Sequence, residues 1–149
     1  MPIPFTDLTQ RPPRSPRVRL GGYAILPRML DKGRAVIAGK QGEFKYACPL
    51  DQEFLNFAGV DAEKLREQLA AGKSDSQILE WIKANQTKKR EAHEIESWSC
   101  HQDRRAPGEL EKREYFSGIH KEVAQGRTDI VSWFDLLDLD DYVSYGGKG

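Results

Sequence analysis

The chain has 149 residues, 38% hydrophobic and 31% charged, with 23 basic and 23 acidic side chains in formal balance. That length suits one domain, residues 1–149, with a core that needs no metal or disulfide, and the balanced charge gives no argument for nucleic acid or an anionic membrane as partner. No apolar run approaches the ~20 residues that cross a bilayer, and MPIPFTDLTQ lacks a secretory leader's basic start and apolar block, so the expectation is a cytoplasmic protein with Cys48 and Cys100 as free thiols.

Residues 1–18 carry Pro2, Pro4, Pro12, Pro13 and Pro16, too many for a helix or a central strand, and predict an extended arm. The segment 19–40, RLGGYAILPRMLDKGRAVIAGK, is the longest apolar-rich stretch and predicts a central core helix. Leu26, Met29, Leu30, Val36 and Ile37 fall near one face of it, and Arg28, Asp31, Lys32 and Arg34 would form a solvated edge. Pro27 either kinks this helix or lies in its first turn, and Gly33 on the apolar face suggests that another backbone comes close.

Five capped segments of helical period follow, and then a buried one. Pro49 opens PLDQEFLNFAG, with Leu50, Phe54 and Phe57 inward; Asp61 caps AEKLREQLAAG, with Leu65 and Leu69 inward; Ser74 or Asp75 caps SQILEWIKAN. A fifth helix, residues 88–105, turns Ala92, Ile95, Trp98 and Ser99 inward, and a sixth, residues 109–125, does so with Leu110, Phe116, Ile119 and Val123. Thr128 caps DIVSWFDLLD, apolar on nearly every side, and the last glycines, residues 144–149, predict a flexible tail. No paired alternating runs occur. The expected fold is all-α, six to seven short helices in a single domain with a Pro/Arg-rich N-terminal arm.

Sites of familiar chemistry are absent from the pattern. Gly33-x5-Gly39-Lys40-Gln41 has one residue too many for a phosphate loop and Gln41 where a hydroxyl must reach the metal. Asp138, Asp140 and Asp141 lack the glycine and distal Glu of a calcium loop. His93 and His101 stand eight residues apart, about 12 Å along a helix, too far to share one ion, so neither a metal nor another cofactor is expected.

Charge layout is the stronger signal. Residues 1–46 hold nine bases and three acids, while residues 128–147 hold five acids and no base. Arg14, Arg17 and Arg19 lead into Arg28, Asp31 and Arg34, and arginine forks suit phosphate and carboxylate alike. This set is the candidate ligand site, for an anionic small molecule or an acidic protein segment. Two internal readings compete with it: Asp31 pairing with Arg28 and Arg34 three residues away, and Arg14, Arg17 or Arg19 pairing with Asp135, Asp138 or Asp141. A non-enzymatic binding module is the first reading and a helical-bundle enzyme with Arg28, Asp31 and Arg34 as its floor the second. A converging pocket with a buried carboxylate favours the enzyme, and a filled surface favours the module. Oligomeric state stays open.

DLTQRPPRSPRVRLGGYAILPRMLDKGRAVIAGK, CPLDQEFLNFAGVD, SDSQILEWIKAN and WFDLLDLDD resemble a bacterial family, domain of unknown function 5069. The resemblance spans essentially the whole chain, and RSPR…LGG…LPRMLDK is its most specific block. It implies a small, stand-alone bacterial protein and brings no cofactor, partner or functional residue with it.

Overall fold

Proline and apolar spacing decide how the first helix starts. The computed structural model describes residues 3–149, and α1 runs Leu26–Ile37 with Pro27 in its first turn, where a missing N–H costs nothing because the helix end leaves it unpaired anyway. Pro27 therefore opens this helix and does not kink it. The preceding Ile25 has φ 73°, a left-handed backbone rare for a β-branched residue. That conformation costs ~1–2 kcal/mol, and full burial of the Ile25 side chain, worth ~1.5–3 kcal/mol, offsets it. Its N–H also donates to the Pro16 carbonyl at 2.9 Å, which ties the arm to the helix start.

Six further helices complete the described chain: α2 Pro49–Ala58, α3 Ala62–Ala70, α4 Asp75–Asn85, α5 Ala92–Arg104, α6 Leu110–Ala124 and α7 Trp133–Ser144. Asp61 caps α3 through the Lys64 N–H, and Ser74 caps α4 in a reciprocal box with Gln77. There are no strands among the described residues, only a single bridge between Leu20 and Tyr23. The fold is all-α.

The main core surrounds α1. Tyr23, Leu26, Met29 and Leu30 pack against Phe54 and Leu55 of α2, Leu65 and Leu69 of α3, Ile78 and Ile82 of α4, and Phe134 of α7. Phe57 stacks on Trp98 with ring centres 4.8 Å apart, closing the core over α5. A second, smaller cluster joins Phe116 of α6 to Ile130, Leu136 and Leu139. Residues 3–25 form no helix; Leu8 is buried and its N–H donates to the Lys40 carbonyl at 2.9 Å.

Several local expectations change. Helix α1 has no solvated edge at Arg28, Asp31 and Lys32, all of which are buried, because the arm and α2 cover that side. Among the described residues the atoms nearest a Cβ on Gly33 belong to side chains rather than to a crossing backbone. A Cβ there would stand 2.5 Å from Leu69 Cδ1 and 3.1 Å from Tyr46 Cε1, so two side chains need the space. Helix α5 begins at Ala92, which is exposed, and residues 88–91 are not helical; Leu110 is exposed as well. Ser132, not Thr128, caps α7, in a box with Asp135, and the helix continues through Asp138, Asp140 and Asp141 to Ser144. Beyond it, the Tyr145 hydroxyl donates to the Leu8 carbonyl, so tail and arm touch.

Candidate functional site

Burying a charged side chain requires a partner that replaces water, and α1 finds its partners in distant parts of the chain. Asp31 accepts from Arg14 three times: from the backbone N–H at 2.9 Å, from Nε at 3.0 Å and from Nη2 at 2.9 Å. The same guanidinium reaches Asp75 with Nη1 at 2.8 Å, and Arg34 reaches the other Asp75 oxygen at 2.7 Å. Asp75 thus clamps the arm and α1 to the start of α4. Arg28 is 3% exposed and donates to Asp141 of α7 at 2.7 Å. Its guanidinium also lies 5.5 Å from the centre of the Phe44 ring.

Asp31 therefore bonds neither Arg28 nor Arg34. A pairing three residues away would keep both ions on an exposed helix surface, and this stretch of α1 is buried. Of the cross-chain pairings expected from charge, Arg17 makes two, with Asp138 at 3.1 Å and with Asp135. Ser15 Oγ adds a hydrogen bond to Asp138 at 2.7 Å. Arg19 instead takes Asp103 of α5 with both terminal nitrogens, at 3.0 and 2.6 Å, and Asp141 belongs to Arg28.

The titration shifts follow this geometry. At Asp75 burial favours the neutral acid, but Arg14 and Arg34 together outweigh it and hold the carboxyl below its ordinary range. Burial opposes the charge on Arg14, yet Asp31 and Asp75 keep it more firmly protonated than a free guanidinium. Asp141 goes the other way: burial pushes its carboxyl up, and Arg28 only partly restores it.

Three cavities bear on the arginine set, and in one, of about 360 Å³, Arg17 faces its own partners Asp135 and Asp138 beside Arg127 and Asp129. Another, of about 340 Å³, is lined by Pro4, Phe5, Thr6, Asp31, Arg34, Ser74 and Asp75. It brings Asp31 and Arg34 together, but Arg28 is not among its walls, and the fork of Arg14 already occupies both Asp31 oxygens. The third is a groove of about 670 Å³ lined by Arg19, Gly21, Gly22, Lys83, Arg90, Ala92, Ile95, Glu96, Ser99 and Cys100. A neighbouring cavity of about 240 Å³ shares Gly21, Lys83, Arg90 and Ile95 and adds Lys89.

This groove is a product of tertiary packing. Gly21 and Gly22 both have positive φ, 59° and 84°, and turn the chain between Leu20 and Tyr23. Leu79 of α4 packs where a Gly21 Cβ would be, at 2.6 Å, which brings the lysines at the end of α4 beside the turn. Ser99 Oγ donates to the Gly22 carbonyl at 2.6 Å and accepts from the Ala24 N–H at 3.0 Å, fixing α5 on the other side. Arg90 lies 4.1 Å from the centre of the Phe57 ring and donates from Nε to the Phe57 carbonyl at 3.0 Å. Among the described residues the N–H groups of Gly21 and Gly22 have no hydrogen-bond partner. Lys83, Lys89 and Arg90 were visible in sequence only as charges around the end of α4; the glycine pair beside them was the one available signal.

A further ion pair lies beside this network, one residue on from Asp31 along α1. Lys32 Nζ stands 2.9 Å from Asp51 Oδ2, with the two side chains 3% and 0% exposed. Burial pushes the Asp51 carboxyl up despite Lys32 and the N–H groups of Ala47 and Cys48.

No described helix is long and apolar enough to cross a membrane. A search of curated proteins returns no match to this chain. The family model described as Domain of unknown function (DUF5069) matches residues 10–143, from the arginine arm to the end of α7, and the chain belongs to that family.

Proposed function

We propose that this protein is a non-enzymatic binding module, bacterial and cytoplasmic, that receives an anionic small molecule or an acidic partner segment in the groove beside Gly21 and Gly22. The observation that carries this reading is the contrast in how the cations are used. Arg14, Arg28 and Arg34 spend their forks on Asp31, Asp75 and Asp141, and Arg17 spends its own on Asp135 and Asp138. Among the described residues, Lys83 is 60% exposed with only a 3.5 Å approach to Glu80, and Lys89 donates only to the Lys83 carbonyl. Arg19, forked on Asp103, and Arg90, 3.5 Å from Glu94, also line the groove, where Glu96 is the one acid among the described lining residues.

In this reading Arg19 is the member of the arginine set that lines the groove, as part of its positive wall, with its fork held by Asp103. Arg14, Arg17, Arg28 and Arg34 hold the arm, α4 and α7 in place around it, with Asp31 as a counter-ion. A carboxylate or phosphate in the groove meets lysine ammonium groups and two unpaired backbone N–H groups, the donors such anions use elsewhere. The enzyme reading has less support, because Arg28 lies on Asp141 and the Arg14 fork fills the front of Asp31. Two free thiols accord with a reducing compartment.

The test is an amide chemical-shift titration of the full chain with inorganic pyrophosphate and with a hexaglutamate peptide. Shifts should centre on Gly21, Gly22, Lys83 and Arg90 and vanish in the Lys83→Glu, Arg90→Glu double variant. Shifts centred on Arg34 and Thr6 would move the site to the smaller cavity and overturn this reading.

A further inference from the structure

Lysine, cysteine and aspartate converge where α1 meets the start of α2, in a cluster independent of the groove. Lys32 Nζ lies 3.1 Å from Cys48 Sγ and 2.9 Å from Asp51 Oδ2. Cys48 is the residue immediately before α2, and its side chain makes no capping bond to that helix. Cys48 is half-buried, whereas Lys32 and Asp51 are shut away from water. The geometry is held from several directions. Ala47 adopts φ 60°, rare for alanine, and its N–H donates to Asp51 Oδ2 at 2.9 Å. The Tyr46 hydroxyl donates to the Ala62 carbonyl at 2.8 Å, pinning the loop to α3. Asp51 Oδ1 is buried with no hydrogen-bond partner among the described residues. One carboxylate oxygen is thus left to take a proton.

We propose that Lys32 and Cys48 form a peroxide-driven covalent cross-link, a sulfur–nitrogen bond that locks α1 to the start of α2. In the first step the Cys48 thiolate attacks one oxygen of hydrogen peroxide. The O–O bond breaks, the sulfur becomes a sulfenic acid, and the departing hydroxide takes up a proton as water. In the second, Lys32 gives a proton to Asp51 and its neutral amine attacks the sulfenyl sulfur. The S–O bond breaks, hydroxide leaves and collects a proton, and a second water is released. Peroxide is the only oxidant consumed, and the product has lost two hydrogen atoms relative to the starting chain. The chemistry follows the known condensation of sulfenic acids with nitrogen, here with an amine already at contact distance. Burial, which pushes the Asp51 carboxyl up, suits it to hold that proton. A thiol then reverses the link by attacking sulfur and expelling the amine, so the device resets in a reducing compartment.

Cys100 provides the comparison. It is exposed on α5, with no ammonium in hydrogen-bond contact among the described residues, and should give the usual oxygenated or mixed-disulfide products. The experiment uses the full-length Cys100→Ser chain treated with hydrogen peroxide, then alkylated and digested without reductant. Expected are loss of the single thiol, an intact mass lower by two hydrogen atoms, and one peptide joining Lys32 to Cys48 that dithiothreitol releases. Lys32→Arg keeps a cation beside Asp51 but offers a poor nucleophile, and there Cys48 should retain oxygen without a cross-link. Cys48 of the Cys100→Ser chain ending as sulfinic acid, or surviving peroxide unchanged, would overturn the proposal. So would a linked peptide that persists in Lys32→Arg.

Discussion

Two charged flanks of α1 treat charge in opposite ways. On one, Arg14, Arg34 and Asp75 share a network whose members keep 38%, 12% and 30% of their side-chain exposure. On the other, Lys32 and Asp51 are a lone buried pair. In the network every carboxylate oxygen has an arginine nitrogen within 3.0 Å, so the desolvation of Asp75 and Arg14 is outweighed by their partners. In the buried pair desolvation is large, and Asp51 keeps one oxygen unsatisfied. The difference teaches which ions hold the fold together and which are retained against their own cost. The arginines join segments far apart in sequence, whereas a buried lysine and aspartate contribute little net stability and leave reactive groups in contact.

The comparison is tested most severely at Lys32. Lys32→Met strands Asp51 without a counter-ion and should cost about 3–5 kcal/mol, the range for breaking a buried pair. Replacing Asp51→Asn in the same chain should recover most of that loss, since the neutral amide needs no cation. Urea midpoints of the two variants decide it, and equal midpoints would mean that the pair is not electrostatically isolated.

Asp75→Asn should cost about 1–2 kcal/mol, because two partly exposed arginines lose one shared acceptor. Acid sharpens the contrast. The Asp75 carboxyl is held below its ordinary range in the folded chain, so its contribution is complete above the unfolded carboxylate value of ~3.9 and is lost as pH falls through the lower folded value. Asp51 has the opposite sign. Its folded value is raised, so its ionisation weakens the fold, and that loss disappears as pH falls toward the unfolded value. Stability measured from pH 6 down to pH 2 should therefore fall less steeply in Asp75→Asn than in the wild type, while Asp51→Asn removes the component that opposes acid unfolding and steepens the fall.

The smallest effect concerns the arm. Arg17 keeps 40% of its side-chain exposure while bonded to Asp135 and Asp138, so each pair is worth only ~0–1 kcal/mol. Asp138→Asn, which leaves the Ser132–Asp135 cap of α7 intact, should hardly move the denaturant midpoint yet hasten tryptic cleavage after Arg17. In the wild type, 1 M salt should hasten it too, because screening there falls to ~3 Å. Asp141 must stay unchanged in this experiment, since it neutralises the buried Arg28.

Local chemistry made much of the fold legible. Ser74 followed by Gln77, Asp61 before Ala62, and Pro49 after Cys48 each mark a helix start because the donors or torsions at that end are satisfied within a few residues. Periodicity likewise placed Leu65 and Leu69 inside. Where burial depends on distant segments the reading ran out. Ala92 and Leu110 fit the helical period but face solvent, as nothing packs over those ends.

Charge divides along the same line. The sequence alone showed that the two ends of the chain are complementary, and Arg17 with Asp135 and Asp138 is one result. It could not show that Arg14 would choose Asp31 and Asp75, that Arg19 would choose Asp103, or that α1 would be covered on the side bearing Arg28 and Lys32. Nor could it bring the Gly21–Gly22 turn beside Lys83 and Arg90, or set Lys32 against Cys48. Helix caps and periodicity act over three or four residues, so they can be read along the chain. A guanidinium or an ammonium takes whichever carboxylate packing brings within about 3 Å of it, and only the tertiary fold decides which one that is.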